Sequence, residues 1–263
     1  MYFLFEGGRI YYSDTGNGAP VVLLHGYLET SDVWYEFADK LSENFRVITV
    51  DLPGHGGSDS YGSSHTMEFM ASVVKGLLES LSLEKVFLTG HSLGGYVTLA
   101  FVDFYPDSLS GCCLFHSQPF PDTPEIIEKR MREIALIREG NKELFYPENI
   151  KRMYATSNLQ KFSGALQQSL EIASGLEGAG IIAVLNGMMM RPSRLHVMEK
   201  GLVPCLWILG ALDNYIPCEI IRTRVKLPSN AMIVVLENSG HMGFIEEEEL
   251  SVKILTDFIR DIK

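Results

Sequence analysis

Residues 87–101 read FLTGHSLGGYVTLAF, an apolar run, a glycine-rich bend around Ser92 and a second apolar run. The first run, with Lys85 and Val86, has the length and residue types of a buried strand, whereas residues 94–104 have helical spacing. Gly90, Ser92 and Gly94 thus form G-x-S-x-G at a strand-to-helix turn. Glycines on both sides let strand and helix approach without Cβ clashes, and the tight bend forces the serine into a strained backbone. Its hydroxyl then stands at the carboxyl edge of a sheet, where free N–H groups and the positive end of a helix stabilise an oxyanion. The competing reading is a plain Gly/Ser turn, and what separates the two is whether a base and an acid occur where the same sheet edge can present them.

Outward from that bend, short apolar runs without alternation recur: PVVLLHG (20–26), FRVITVD (45–51), CCLF (112–115), PCLWILG (204–210) and MIVVLE (232–237). Such runs suit strands buried on both faces, as in a parallel sheet. FLFE and RIYY flank Gly7 and Gly8, which predicts an N-terminal hairpin with positive φ at those glycines. Helical spacing occupies residues 31–42, 66–82, 217–226 and 243–261 between the runs. Alternating strands and helices predict an α/β fold with a doubly wound, mostly parallel sheet.

One connection breaks the rhythm, because residues 116–203 hold no strand. There PEIIEKRMREIALIREG reads as a helix with Thr123 as N-cap, Pro124 in the first turn, Glu125/Lys129 and Glu128/Arg132 pairs and Gly140 at its end. Further helical pieces fit 141–154, 159–173 and 179–190. The chain divides into a core of residues 1–117 and 195–263 and a helical cap, 118–194, inserted after the sixth strand.

Candidates for the base and acid follow from this map. His241 lies in ENSGHMGFIEEEE, after the last strand and before the C-terminal helix, with Gly240 and Gly243 permitting close backbone approach. Asp213 ends PCLWILGALD, whereas the end of CCLF carries His116, Ser117 and Gln118, none of them acidic. Asp213 is the better acid. His116, where the chain enters the cap, is a candidate for the substrate-pocket wall or for a bond to the cap backbone. Asp51 and His55 in DLPGHGGSD sit in a Pro/Gly turn with structural bonds, and His65 and His196 read as peripheral. Glu246 to Glu249 invite a metal reading, but acidic groups in the first turns of a helix complement its dipole, and a solvated face is expected.

In this order, Ser92, Asp213 and His241, and with LLHG and DLPGHGGSD before them, the chain resembles α/β-hydrolase-fold serine hydrolases, small capped carboxylesterases and enol-lactonases in particular. The resemblance implies Ser92, His241 and Asp213 as catalytic triad and an oxyanion hole of the Tyr27 and Leu93 N–H groups, with His25 fixing its loop. It implies hydrolysis of a small-molecule ester or lactone through an acyl-enzyme, without cofactor or metal. C–C bond hydrolases of this fold usually carry HG-x-G-P-G, from which Tyr27, Leu28 and Glu29 depart. That activity and a cofactor-free haloperoxidase-like one remain alternatives, as does a non-catalytic ligand-binding protein.

Composition narrows the partners. The net charge of −11 repels phosphate backbones and anionic lipid, so nucleic acid and membrane surfaces are not expected partners. MYFLFEGGRIYY lacks the parts of a signal peptide, and no apolar run approaches the roughly 18 residues of a membrane span. Cys112, Cys113, Cys205 and Cys218 have no CxxC spacing, which favours free thiols in a reducing cytoplasm. The sequence leaves the oligomeric state open.

Overall fold

A computed structural model describes residues 1–262. The eight strands are β1 (Tyr2–Phe5), β2 (Gly8–Gly16), β3 (Pro20–Leu24), β4 (Arg46–Val50), β5 (Val86–His91), β6 (Leu109–Phe115), β7 (Cys205–Gly210) and β8 (Ala231–Leu236). They form one sheet in the order β1-β2-β4-β3-β5-β6-β7-β8. β1 and β2 pair antiparallel, as do β2 and β4, and every other neighbour is parallel. The central strands β5 and β7 are buried along their whole length. Covering both faces needs two helix layers, which is why these strands read as unbroken apolar runs.

The helices of the core are α1 (Tyr35–Ser42), α2 (Met67–Ser80) and α3 (Leu93–Phe104). Between β6 and β7 come α4 (Pro124–Arg138), α5 (Tyr146–Met153), α6 (Ser163–Gly175), α7 (Gly178–Met190) and α8 (Leu195–Lys200). Then α9 (Cys218–Arg224), α10 (Gly243–Glu246) and α11 (Glu248–Asp261) complete the chain. α2 packs on α3, and α3 on α8, while α1 packs on α11. Among the described residues no single helix is long and apolar enough to cross a membrane.

The chain runs from β3 to β4 on one side, then returns to β5 on the other. The loops after β3 and β5 therefore diverge and leave a crevice at the carboxyl edge, the place where open α/β sheets bind ligands. Tyr27 follows β3 and Ser92 follows β5, so sheet order alone brings them together.

Two local expectations change. The hairpin turn places positive φ at Glu6 (47°) and Gly7 (85°), not at Gly8, because Phe5 pairs with Gly8 and leaves two residues for the turn. Gly8 is small for another reason: a Cβ there would overlap the Tyr61 ring. The predicted helix over 243–261 is broken at Glu247 (φ −133°), whose carboxylate accepts from Asn238 N at 2.9 Å and Ser239 Oγ at 2.7 Å.

The insert rests on the core through glycine. A Cβ on Gly180 or Gly187 of α7 would overlap the backbone at Gly54 or His65, so these positions bring the helix against two core loops. Buried Ile181, Val184, Leu185 and Met188 make α7 the insert's apolar centre.

Candidate active site

Ser92 lies between β5 and α3 with φ 47° and ψ −108°, a conformation that a residue with a Cβ adopts only under constraint. Its N–H donates to Phe115 O at 3.0 Å, and Ser117 Oγ donates to Ser92 O at 2.8 Å, so the bend is tied to the end of β6. A Cβ on Gly90 would overlap Gly94 O, and one on Gly94 would overlap Leu24 O. The two glycines of the motif thus permit the approach of α3 to β5 and β3. The Ser92 hydroxyl makes no hydrogen bond among the described residues and faces the cavity.

His241 and Asp213 meet at the same edge. His241 Nδ1 donates to Asp213 Oδ2 at 2.7 Å, which leaves Nε2 as the basic nitrogen. The N–H groups of Tyr215 and Ile216 donate to Asp213 Oδ1 at 2.7 and 2.9 Å. Burial alone would push the Asp213 carboxyl up, but the electrostatic pull of the neighbouring His241 and His116 rings and the hydrogen bonds outweigh it and hold the group well below the usual carboxylate range. Ser92, His241, Tyr27 and Leu28 line one cavity of about 810 Å³, counted to its open mouth.

Tyr27 and Leu93 supply N–H groups that bond nothing among the described residues, one after β3 and the other at the start of α3. Behind Tyr27 lies a buried pair that the sequence reading did not single out. Glu29 Oε2 accepts from Gly26 N at 2.5 Å and bonds His91 Nδ1 at 2.9 Å, while His91 Nε2 donates to His241 O at 2.9 Å. Burial opposes ionisation of Glu29, but the His91 charge and both bonds hold its pKa below the ordinary value. One carboxylate therefore links the loops that carry Tyr27, Ser92 and His241.

The buried loop histidines His25, His55 and His65, their pKa values lowered by burial, are neutral scaffolding. His25 Nε2 accepts from Leu52 N at 2.9 Å and its Nδ1 donates to Gly26 O at 2.8 Å, which fixes the turn before Tyr27. Asp51 accepts from Ser31 N and Gly57 N, both at 2.7 Å, and so braces the same loop. His65 is buried under α7, not peripheral: its N–H donates to Ala183 O at 2.8 Å. His196 is exposed beside Asp103.

His116 is not on the cavity wall. It is fully buried beside Asp213, with φ 46°, and its Nε2 accepts from Gly243 N at 3.1 Å. His116, Asp213 and His241 bring three ligand-type atoms within 4.8 Å of one another. The trio does not suit a metal: an Nε2 that accepts a backbone N–H leaves the proton on Nδ1, the atom that would have to ligate.

Glu246 also departs from expectation. Instead of a solvated helix face, its carboxylate is buried and accepts from Ala155 N (2.8 Å), Asn158 Nδ2 (2.8 Å) and Gly240 N (2.7 Å). With His241 N donating to Met153 O at 2.6 Å, it clamps the insert to the histidine loop. Helix periodicity did not reveal this, because α10 ends at Glu246 itself and the break at Glu247 leaves that carboxylate facing inward.

The insert's wall sets ion pairs beside the apolar Ile126, Met153 and Met188. Asp122 takes Arg130 at 2.6 Å and Arg191 at 2.7 Å, and Glu133 accepts from Asn149 Nδ2 at 2.9 Å and from Tyr27 Oη at 3.2 Å. Glu128 and Arg132 pair as expected at 2.8 Å, whereas Lys129 turns from Glu125 to Glu133 (3.6 Å) and Asn149 (3.0 Å), on the cavity side. Met188 lines the cavity, while Met190 is exposed.

Comparison with known proteins matches this arrangement to one family. A family profile described as alpha/beta hydrolase fold covers residues 19–171. A 2-hydroxy-6-oxononadienedioate/2-hydroxy-6-oxononatrienedioate hydrolase of Paraburkholderia phymatum is 29% identical, over 97% of this chain and 93% of its own. Among solved structures, a thermophilic esterase of Thermogutta terrifontis, with malate bound, is 29% identical with a TM-score of 0.93, covering 99% of this chain and 97% of its own. The enol-lactonase of Burkholderia xenovorans, 20% identical with a TM-score of 0.91 over 99% of this chain and 100% of its own, shares the fold. The profile spans more than half of the chain, and the chain belongs to the α/β-hydrolase fold family.

Proposed function

We propose that the protein is a serine hydrolase that cleaves a carboxylic ester or lactone of a small molecule through an acyl-enzyme. The observation that carries this reading is the strained Ser92, set in one cavity with a His241–Asp213 pair and beside two unbonded N–H groups. Ser92 Oγ attacks the carbonyl carbon while His241 Nε2 takes its proton. The ionised Asp213 stabilises the resulting imidazolium through Nδ1, and the Tyr27 and Leu93 N–H groups receive the oxyanion. As the tetrahedral adduct collapses, His241 returns the proton to the departing oxygen. Water, deprotonated by His241, then attacks the acyl carbon, and as this second adduct collapses His241 returns the proton to Ser92 Oγ and the acid is released. Each oxyanion donor lowers the barrier by about 3 kcal/mol in such sites.

The esterase of Thermogutta terrifontis supports the ester reading, and the Paraburkholderia relative makes C–C cleavage the competing one. The deciding experiment measures turnover of 4-nitrophenyl acetate, a small lactone and a vinylogous diketo acid by the wild type and Ser92→Ala. Ester or lactone turnover that vanishes in Ser92→Ala is expected. Turnover of the diketo acid alone would move the assignment to C–C hydrolysis, and no Ser92-dependent turnover of any substrate would support a binding protein.

A further inference from the structure

We propose that His116 is a positioning residue for this reaction, a second imidazole whose Nδ1–H holds the Asp213 carboxylate in place while His241 gains charge. The inference rests on the proposed triad.

Four observations carry it. First, His116 stands at the end of β6 with φ 46°, a left-handed conformation that disfavours any residue with a Cβ. Second, two glycines make room for its ring: a Cβ on Gly243 would overlap Nε2, and one on Gly210 would come within 2.9 Å of Cε1. Third, the proton is fixed. Gly243 N donates to Nε2 at 3.1 Å, so the neutral ring carries its hydrogen on Nδ1. Fourth, that Nδ1 has no well-aligned partner among the described residues and stands 3.4 Å from Asp213 Oδ2, the oxygen that His241 uses. A buried donor without a partner is costly, and this one is aimed at the acid.

The surroundings make His116 a neutral donor. Burial lowers its pKa to about 4, with the Asp213 contact opposing the shift. The titratable groups that face it are Asp213 after β7, His241 before α10 (ring centroids 5.7 Å apart) and His91 at the end of β5 (6.2 Å), with Glu29 behind His91. A neutral N–H steadies the carboxylate without adding charge. Catalytic hydrogen bonds that are long at rest tighten as the transition state forms, and the His116–Asp213 contact closes in that way.

Two substitutions separate this role from a structural one. In His116→Asn the side-chain amide overlays Nδ1 and keeps the donor to Asp213. In His116→Gln the amide oxygen reaches the place of Nε2 and keeps the Gly243 bond, but the donor is lost. With 4-nitrophenyl acetate, His116→Gln is expected to lower kcat about tenfold with KM within about twofold. A carboxylate without its second donor is more basic and favours the His241 imidazolium, so the acid limb of kcat/KM moves to higher pH by about half a unit. His116→Asn is expected to recover most of the lost kcat and to bring the limb back. Where His116→Gln gives no folded chain, His116→Gly, which suits positive φ, replaces it in the comparison. Wild-type kcat and pH profile in His116→Gln would overturn the inference, as would equal losses in the Asn and Gln variants with no shift of the limb. Turnover that survives in Ser92→Ala would sink the triad reading itself, and this inference with it.

Discussion

The two walls of the cavity are held by different physics. On the core side, Ser92, Tyr27, Asp213 and His241 stand on loops at strand ends, and each loop is tied through its backbone, either to other backbone groups or to buried side chains such as His25, Glu29 and Glu246. On the insert side, Lys129, Arg130 and Glu133 project from α4, and side-chain charges fix one another across α5 and the loop at Asp122. Backbone bonds hold a geometry to which chemistry is sensitive, whereas ion pairs between helices set the shape and polarity of the remaining space. The core wall should therefore answer to substitution in rate, and the insert wall in stability and substrate choice.

The largest effect is expected from the core wall. Asp213→Asn keeps the shape but favours the wrong His241 tautomer, and kcat should fall by about 10⁴-fold with little change in KM, measured by steady-state ester hydrolysis. A loss below about tenfold would mean that the Asp213–His241 bond does not orient the base.

On the insert wall, Asp122→Ala leaves Arg130 and Arg191 buried without their carboxylate. Stability is expected to drop by about 3–5 kcal/mol in urea unfolding, while kcat on a short ester in the folded enzyme changes far less than in Asp213→Asn. Comparable kcat losses in the two variants would erase the distinction between the walls.

Acid should act mainly through the core. His25, His55, His65 and His116 all have pKa values lowered by burial, so between pH 6.5 and the folded values the unfolded chain binds protons that the native one does not. Stability is present above pH 6.5 and is lost as pH falls below it. His116 alone, moved from 6.5 to about 4, contributes on the order of 3 kcal/mol across that window. Tm should decline steadily below pH 6.5, with proton uptake on unfolding in calorimetry. A Tm that is flat from pH 7 to 4.5 would contradict the neutral, buried assignment.

Tyr27→Phe is expected to give the smallest effect. It removes the hydroxyl bond to Glu133 but leaves the backbone N–H in place, so kcat should stay within about threefold. A larger loss would shift weight from the Tyr27 backbone to its side chain.

How much the sequence disclosed follows the same division. The strands are legible as apolar runs, and Ser92, Asp213 and His241 are legible because glycine and strand ends mark where the chain must bend at the sheet edge. The Glu29–His91 pair is not, since its members are 62 positions apart and meet only because β3 and β5 are neighbours. Its place before the insert reads His116 as pocket wall or as a bond to the cap backbone, and only its positive φ and the slot beside Gly210 and Gly243 turn it toward Asp213. In α4, spacing foresaw Glu128/Arg132, an exposed pair, and misassigned Lys129, because helix periodicity does not say which face another helix will cover.

The central claim, a Ser92 nucleophile activated by His241, is tested most directly by mass spectrometry after reaction with a fluorophosphonate. The expected result is a single adduct on the peptide containing Ser92, absent in Ser92→Ala and formed at least about 100-fold more slowly in His241→Ala. An adduct at another residue, or an undiminished rate in His241→Ala, would contradict it.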